Sequence, residues 1–256
     1  MFRTVGVVNH DGNKAATAEG DDLTIVVAAR AEAVEALWRG SLGRTVRCVP
    51  TRQTLMAEDQ FGTLFAKRYR SARRARNEWR WIGELQRAGL PGPPPVALVQ
   101  GRRGGMVVLG PAPGRSLDAW ALDADREGWL RAWDDYLVAD VAPWVRALHA
   151  RGWIHRDLNL AHLYTADPRA GGAPSVIDVE RMFQPRLRWQ RWVVKELGSL
   201  LASSPVRVEA SVAMRFLANY LGERGRGRRG RALRRQLARA VVAKAGTILG
   251  RRPRFG

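Results

Sequence analysis

Apolar side chains recur along this chain in two rhythms, and the rhythm changes near residue 110. Residues 64–69 alternate, which places Phe65, Lys67 and Tyr69 on one face of a strand. Residues 23–27, 45–49 and 106–109 predict further strands, and residues 31–37 a short helix. Residues 71–88 follow a helical period, with Ser71 placed to cap the helix and Gly89 to end it. Leu90-Pro91-Gly92-Pro93-Pro94-Pro95 cannot continue that helix, because proline lacks the N–H that a helix interior needs. Beyond Gly110-Pro111-Ala112-Pro113-Gly114 the helical period dominates. Leu130, Trp133, Leu137, Val141, Trp144 and Leu148 share one face of a long helix, kinked near Pro143. Residues 192–201 and 208–221 predict two more helices.

These patterns predict an α+β chain in two lobes. A polar arm (1–35), partly disordered, precedes a small β-rich lobe with one key helix (36–109). A larger, mostly helical lobe (110–222) and a basic helix or tail (223–256) follow. Charge sharpens the picture: the 256 residues carry +19, and residues 221–256 hold twelve Lys or Arg against one Glu, which is +11 of it. Such a tail suits a phosphate-rich partner. Leu233, Leu237, Val241 and Ile248 fall on one face, so an anionic membrane surface reached through an amphipathic helix is one reading. Nucleic acid is the other polyanion, but no zinc-finger, RNP or basic-zipper pattern accompanies the charge. A lone cysteine, Cys48, excludes an intramolecular disulfide. No apolar run spans a bilayer and no signal-peptide core opens the chain, which points to the cytoplasm.

The chemistry concentrates in His155-Arg156-Asp157-Leu158-Asn159-Leu160-Ala161-His162, directly after the long helix. Val176-Ile177-Asp178 comes next, across a stretch whose Asp-Pro and Gly-Gly suit a hairpin loop. Phosphoryl transfer needs a carboxylate to take the acceptor's proton and cations to neutralise the triphosphate. Asp157 fits the base, and Asp178, at the end of a short apolar strand, fits a Mg²⁺ ligand. The same chemistry requires a strand lysine on the ATP phosphates held by a helix glutamate, and Lys67 and Glu78 supply that pair. Glu78 shares a helix face with Ile82 and Leu85, so its carboxylate needs a partner. Gly40-Ser41-Leu42-Gly43 is the candidate phosphate-covering loop, with Gly40 and Gly43 as cofactor-binding positions, although a plain turn fits it equally.

These strings resemble the lipopolysaccharide core kinases, the Kdo kinase and heptose kinase family with a protein-kinase-like fold. The resemblance runs over residues 40–222 and includes Phe65-Ala66-Lys67-Arg68-Tyr69, Asn77-Glu78-Trp79-Arg80, Val176-Ile177-Asp178-Val179-Glu180-Arg181-Met182 and Trp192-Val193-Val194-Lys195-Glu196-Leu197. It implies ATP and Mg²⁺ as cofactors and a sugar hydroxyl of a core or lipid-linked saccharide as acceptor. It also implies work at the inner face of the cell membrane. His162 stands where protein kinases carry a metal-binding asparagine, and the resembled family has the same histidine. Metal binding by His162, orientation of Asp178 or a phosphate by its ring, and a satisfied core imidazole stay open. A small-molecule or protein kinase of the same fold, and a pseudokinase that binds without transferring, are the rival functions. Lys195 matches a family position for which the sequence alone suggests no role.

Overall fold

The computed structural model describes residues 3–8, 14–20, 23–27, 30–102 and 104–250. Two compact units divide the chain, Met1–Pro111 and Ala112–Gly256.

The first unit is built on an eight-stranded antiparallel sheet in the order β1-β2-β3-β7-β8-β6-β5-β4. Its strands are β1 (Arg3–Val8), β2 (Lys14–Gly20), β3 (Leu23–Val27), β4 (Arg44–Val49), β5 (Arg52–Asp59), β6 (Gly62–Tyr69), β7 (Pro95–Gly101) and β8 (Gly104–Leu109). The first three occupy the stretch expected to be an arm, and β3 pairs with β7 from Thr24↔Gln100 to Val27↔Ala97. β3 is the strand expected at residues 23–27, and the sheet continues beyond it through β2 and β1, which pair by backbone N–H and C=O groups whatever their side chains.

Alternation along β6 sends its two faces to different partners. Leu64 and Ala66 join a core with Val34 and Leu37 of α1 (Ala31–Arg39), Leu55 and Ala57 of β5, and Val108 of β8. The opposite face meets α2 (Ala72–Arg87), which buries Ala75, Glu78, Trp81, Ile82 and Leu85 along one stripe. Close approach is possible because β8 carries Gly105, where a Cβ would lie 2.7 Å from the Ala75 Cβ. Ser71 takes the N-cap position of α2, but its hydroxyl makes no capping bond. Gly89 follows the helix with φ +67°, a left-handed position that glycine adopts without a Cβ clash.

In the second unit a three-stranded sheet, β11-β10-β9, joins β9 (Arg115–Ser116), β10 (Leu163–Thr165) and β11 (Ser175–Val176). Helices α3 (Leu117–Arg126), α4 (Leu130–Tyr136), α5 (Ala142–Ala150), α6 (Trp189–Ala202), α7 (Ala210–Leu221) and α8 (Gly227–Leu249) supply the rest. The long helix expected over 130–148 is interrupted, since a π-helical segment, Leu137–Val141, separates α4 from α5. Pro143 sits in the first turn of α5, directly after the π-helical segment, and the Val138 carbonyl five residues before it accepts instead from Asn219 Nδ2 at 2.8 Å. Trp133, Leu148, Ile154, Leu158, Leu160 and Leu163 are fully buried.

The basic tail is part of this unit's fold up to Leu249. Gly198 of α6 lets α8 come so near that a Cβ there would lie 2.8 Å from Lys244 Cγ. Val241 and Ala245 are buried, and Leu233, Leu237 and Ile248 are half-buried. The apolar row that suggested a membrane-inserting face is therefore occupied within the protein. Arg228, Arg229, Arg231, Arg235 and Arg239 face outward. Among the described residues no helix is long and apolar enough to cross a membrane.

Candidate active site

In the first unit the strand–helix arrangement delivers a buried ion pair. Lys67 of β6 donates from Nζ to Glu78 Oε1 of α2 at 2.5 Å, and the two side chains are 12% and 1% exposed. The Tyr69 hydroxyl, two residues along the same strand face, donates to the other carboxylate oxygen, Oε2. A carboxylate removed from water is tolerated only when both oxygens are engaged, and these two donors engage them.

The glycine pair upstream serves a different purpose. Gly40, with φ +85°, closes α1, and the N–H groups of Gly40, Ser41 and Leu42 all point at the Ala36 carbonyl, at 3.0, 3.0 and 3.3 Å. Donors so engaged are not available to cradle a phosphate. Gly43, with φ +93°, packs where a Cβ would lie 3.0 Å from Leu37 Cδ2. The expected phosphate-covering role of Gly40 and Gly43 thus gives way to a helix end and a tight turn. The β4–β5 hairpin that follows them turns at Pro50 and Thr51, without glycine.

Within the second unit the segment 154–162 is held at several points. Ile154 and Phe183 exchange two backbone hydrogen bonds at 3.0 Å. Glu196, fully buried on α6, accepts from the backbone N–H of His155 at 3.2 Å and of Arg156 at 2.5 Å. It also accepts from His149 Nε2 at 3.0 Å. With its Nε2 proton engaged there, His149 presents Nδ1 to the Tyr220 hydroxyl at 2.9 Å. Arg156 adopts φ +79°, a costly backbone for a residue with a Cβ, which these bonds to Glu196 hold in place. Further along, Leu160 N–H donates to Ser203 Oγ at 2.9 Å, and Asn159 Oδ1 accepts from His162 N–H at 3.0 Å. Asp157 lies between these anchors, with its carboxylate about one-third exposed.

Two cations attend that carboxylate. Arg181 bonds Asp157 Oδ2 at 2.8 Å, and Lys195 Nζ stands 3.9 Å from Oδ1. Burial pulls the Lys195 ammonium below its ordinary value, and Asp157 and Glu196 oppose that shift. Asp178 follows β11 with φ +61°. Its loop is tied to the 155–162 segment twice: His155 Nε2 donates to the Ile177 carbonyl at 3.0 Å, and Ile177 N–H donates to the His162 carbonyl at 2.9 Å. Burial also pushes the His155 imidazole below its usual value, which keeps it neutral as a donor.

His162 donates from Nδ1 to the Asp157 carbonyl at 2.8 Å, since a carbonyl only accepts. Its Nε2 therefore carries the lone pair in the neutral ring, as in a histidine oriented for a ligand. Among the described residues no group of three or more His, Cys, Asp or Glu forms a metal cage. A Mg²⁺ ion does not require one, because it keeps waters and substrate phosphates around one or two carboxylate oxygens. Asp178 offers such oxygens.

Sequence reasoning singled out Lys67, Glu78, Asp157, Asp178 and His162, but gave Glu196 and His149 no role. Glu196 could have been noticed, since it shares a helix stripe with Val193, Leu197 and Leu200 in the way that Glu78 shares one with Ile82 and Leu85.

Residues 59–220 match the model of the lipopolysaccharide kinase (Kdo/WaaP) family. The chain belongs to that family. A solved structure described as WaaP in complex with acyl carrier protein is 27% identical, with a TM-score of 0.69, over 88% of this chain and 98% of that one. An aminoglycoside-3'-phosphotransferase of type VIII, 18% identical with a TM-score of 0.53, covers 82% of this chain and shares the fold. A comparison with curated proteins gives no match. The protein is thus a lipopolysaccharide core kinase of protein-kinase-like fold, a phosphotransferase acting on an alcohol group.

Proposed function

We propose that this kinase uses magnesium-bound ATP to phosphorylate a sugar hydroxyl of the core saccharide, with Asp157 as the base. The braced loop around Asp157 carries the reading. A general base must be aimed at one proton, and Glu196, Ser203 and Asn159 fix the backbone on both sides of it. Lys67, oriented by Glu78, takes the nucleotide phosphates, as the family resemblance implies. Asp178 would hold the magnesium through oxygen, and His162 Nε2 would accept from a water or a phosphate-bound proton beside it. When bound, the metal neutralises charge on the phosphates. The protein's own part is to aim the hydroxyl and receive its proton.

The outward arginines of α8 suit peripheral attachment to an anionic inner membrane leaflet, where each is worth up to about 1 kcal/mol near the surface. Exposed Arg186, Arg188 and Arg191 suit an anionic saccharide. The acyl carrier protein bound to the solved relative makes that carrier a candidate partner here as well.

Labelled ATP, magnesium and a dephosphorylated core glycolipid test the reading. Wild type transfers label to the glycolipid, and Asp157→Ala lowers turnover by about 10²–10⁴ while ATP still binds. Undiminished transfer by that variant removes Asp157 from the chemistry. ATP binding without transfer by the wild type favours the scaffold alternative.

A further inference from the structure

The turn that joins α7 to α8, Gly222-Glu223-Arg224-Gly225-Arg226-Gly227, is built from glycine and arginine around one glutamate. Its glycines wall a cavity of about 680 Å³, which Arg146 of α5, Arg226 and Arg234 of α8 also line. Glycine shapes that wall. At Gly222, with φ +56°, a Cβ would lie 2.4 Å from Arg146 Nη1. Its absence lets this guanidinium reach across to the Asn219 carbonyl, to which it donates at 3.0 Å. At Gly230 a Cβ would lie 2.2 Å from the Gly225 carbonyl carbon, so the 3-10 turn Gly222–Gly225 packs directly on the first turn of α8.

Three cations and one anion, Glu223, thus border the cavity. Glu223 pairs with Arg226 at 2.7 Å, but both side chains are more than three-quarters exposed, and such a pair yields readily to a better anion. Arg234 makes a sharper demand. Its Nε is buried and has no hydrogen-bond partner among the described residues. A buried charged donor without an acceptor is costly. By turning its Nε–Nη edge to an anionic oxygen in the cavity, Arg234 gains the missing acceptor.

We propose that this cavity is a binding site for a terminal phosphate group. A phosphate monoester carries about two negative charges near neutral pH and three strong acceptor oxygens. Those match the excess positive charge of the lining and its three guanidinium forks. A phosphodiester, with a single charge and two free oxygens, leaves one fork unserved. The group is carried either by a soluble phosphomonoester or by a lipid headgroup of the phosphatidate kind. None of the lining residues belongs to the proposed catalytic machinery, so the site stands apart from the reading of Asp157.

The experiment uses the full chain and the variants Arg234→Gln, Arg146→Gln and Gly222→Ala. Arg239→Gln is the control, because Arg239 is exposed on α8 and lies outside the cavity. Inorganic phosphate is titrated by calorimetry in a Lys67→Met background, which weakens any binding at the nucleotide site. Arg234→Gln and Arg146→Gln each weaken phosphate binding by about 10–100-fold, as expected for loss of a charge-assisted hydrogen bond. Gly222→Ala weakens it through the displaced Arg146, and Arg239→Gln changes it by less than about twofold, as an exposed charge does. Flotation with phosphatidylcholine vesicles carrying phosphatidate or phosphatidylglycerol, matched in surface charge, separates the two sources. Selectivity for phosphatidate that Arg234→Gln abolishes assigns the site to a lipid headgroup. Phosphate binding without that selectivity assigns it to a soluble phosphomonoester. If neither phosphate nor phosphatidate binding depends on Arg234 more than on Arg239, the site is overturned and the charge of α8 acts only diffusely.

Discussion

Among the described residues each unit buries one glutamate and uses it differently. Glu78 in the first unit receives two side chains, Lys67 and Tyr69, so it orients a charge that must reach out to a ligand. Glu196 in the second receives backbone N–H groups from His155 and Arg156, so it fixes the path of the chain, and Asp157 is aimed as a result. The first glutamate can fail and leave its strand and helix standing, because those are held by the sheet and by Trp81, Ile82 and Leu85. The second cannot, because the 155–162 segment has little regular structure of its own.

That asymmetry can be broken experimentally. The largest effect belongs to Glu196→Ala, which leaves two loop N–H groups and His149 without their acceptor. Breaking a buried charged network typically costs about 3–5 kcal/mol, and here urea melts should register it together with loss of transfer. Glu78→Ala should cost less, about 1–3 kcal/mol, since Lys67 has partial access to water. Its signature is weakened ATP binding by calorimetry with a nearly normal fold. Equal destabilisation by the two variants would show that the two glutamates do the same job.

The smallest effect is a pH dependence in the second unit. His155 is wholly buried and its value is lowered from 6.5. Below pH 6.5 the unfolded chain gains a proton that the folded protein refuses, so stability drops as pH falls toward the depressed folded value. Thermal melts from pH 7.5 to 5 should show this decline, and His155→Gln should flatten it.

The sequence exposed the first unit's pair because both members lie on regular elements eleven residues apart, where strand and helix periods say which way each side chain faces. Asp157 and Asp178 were readable as a motif for the same local reason. Within the stretch read as an arm the apolar run at 23–27 was legible as a strand, whereas β1 and β2 were not, because their pairing depends on backbone groups, which every sequence possesses. Gly40 and Gly43 misled because glycine marks a conformation, and both a helix end and a phosphate loop require it.

What the chain alone determined is the inventory: a strand lysine, a helix glutamate, an aspartate in a loop after a long helix and another after a hairpin. Tertiary structure decided which donors were free and which were already engaged. Ala36 captured the N–H groups of the glycine turn, Glu196 captured the loop backbone, and the helix of the basic tail turned its apolar face inward. Hydrogen bonds to backbone and burial against distant helices leave no periodic trace in a sequence, because their partners are fixed by folding and not by spacing.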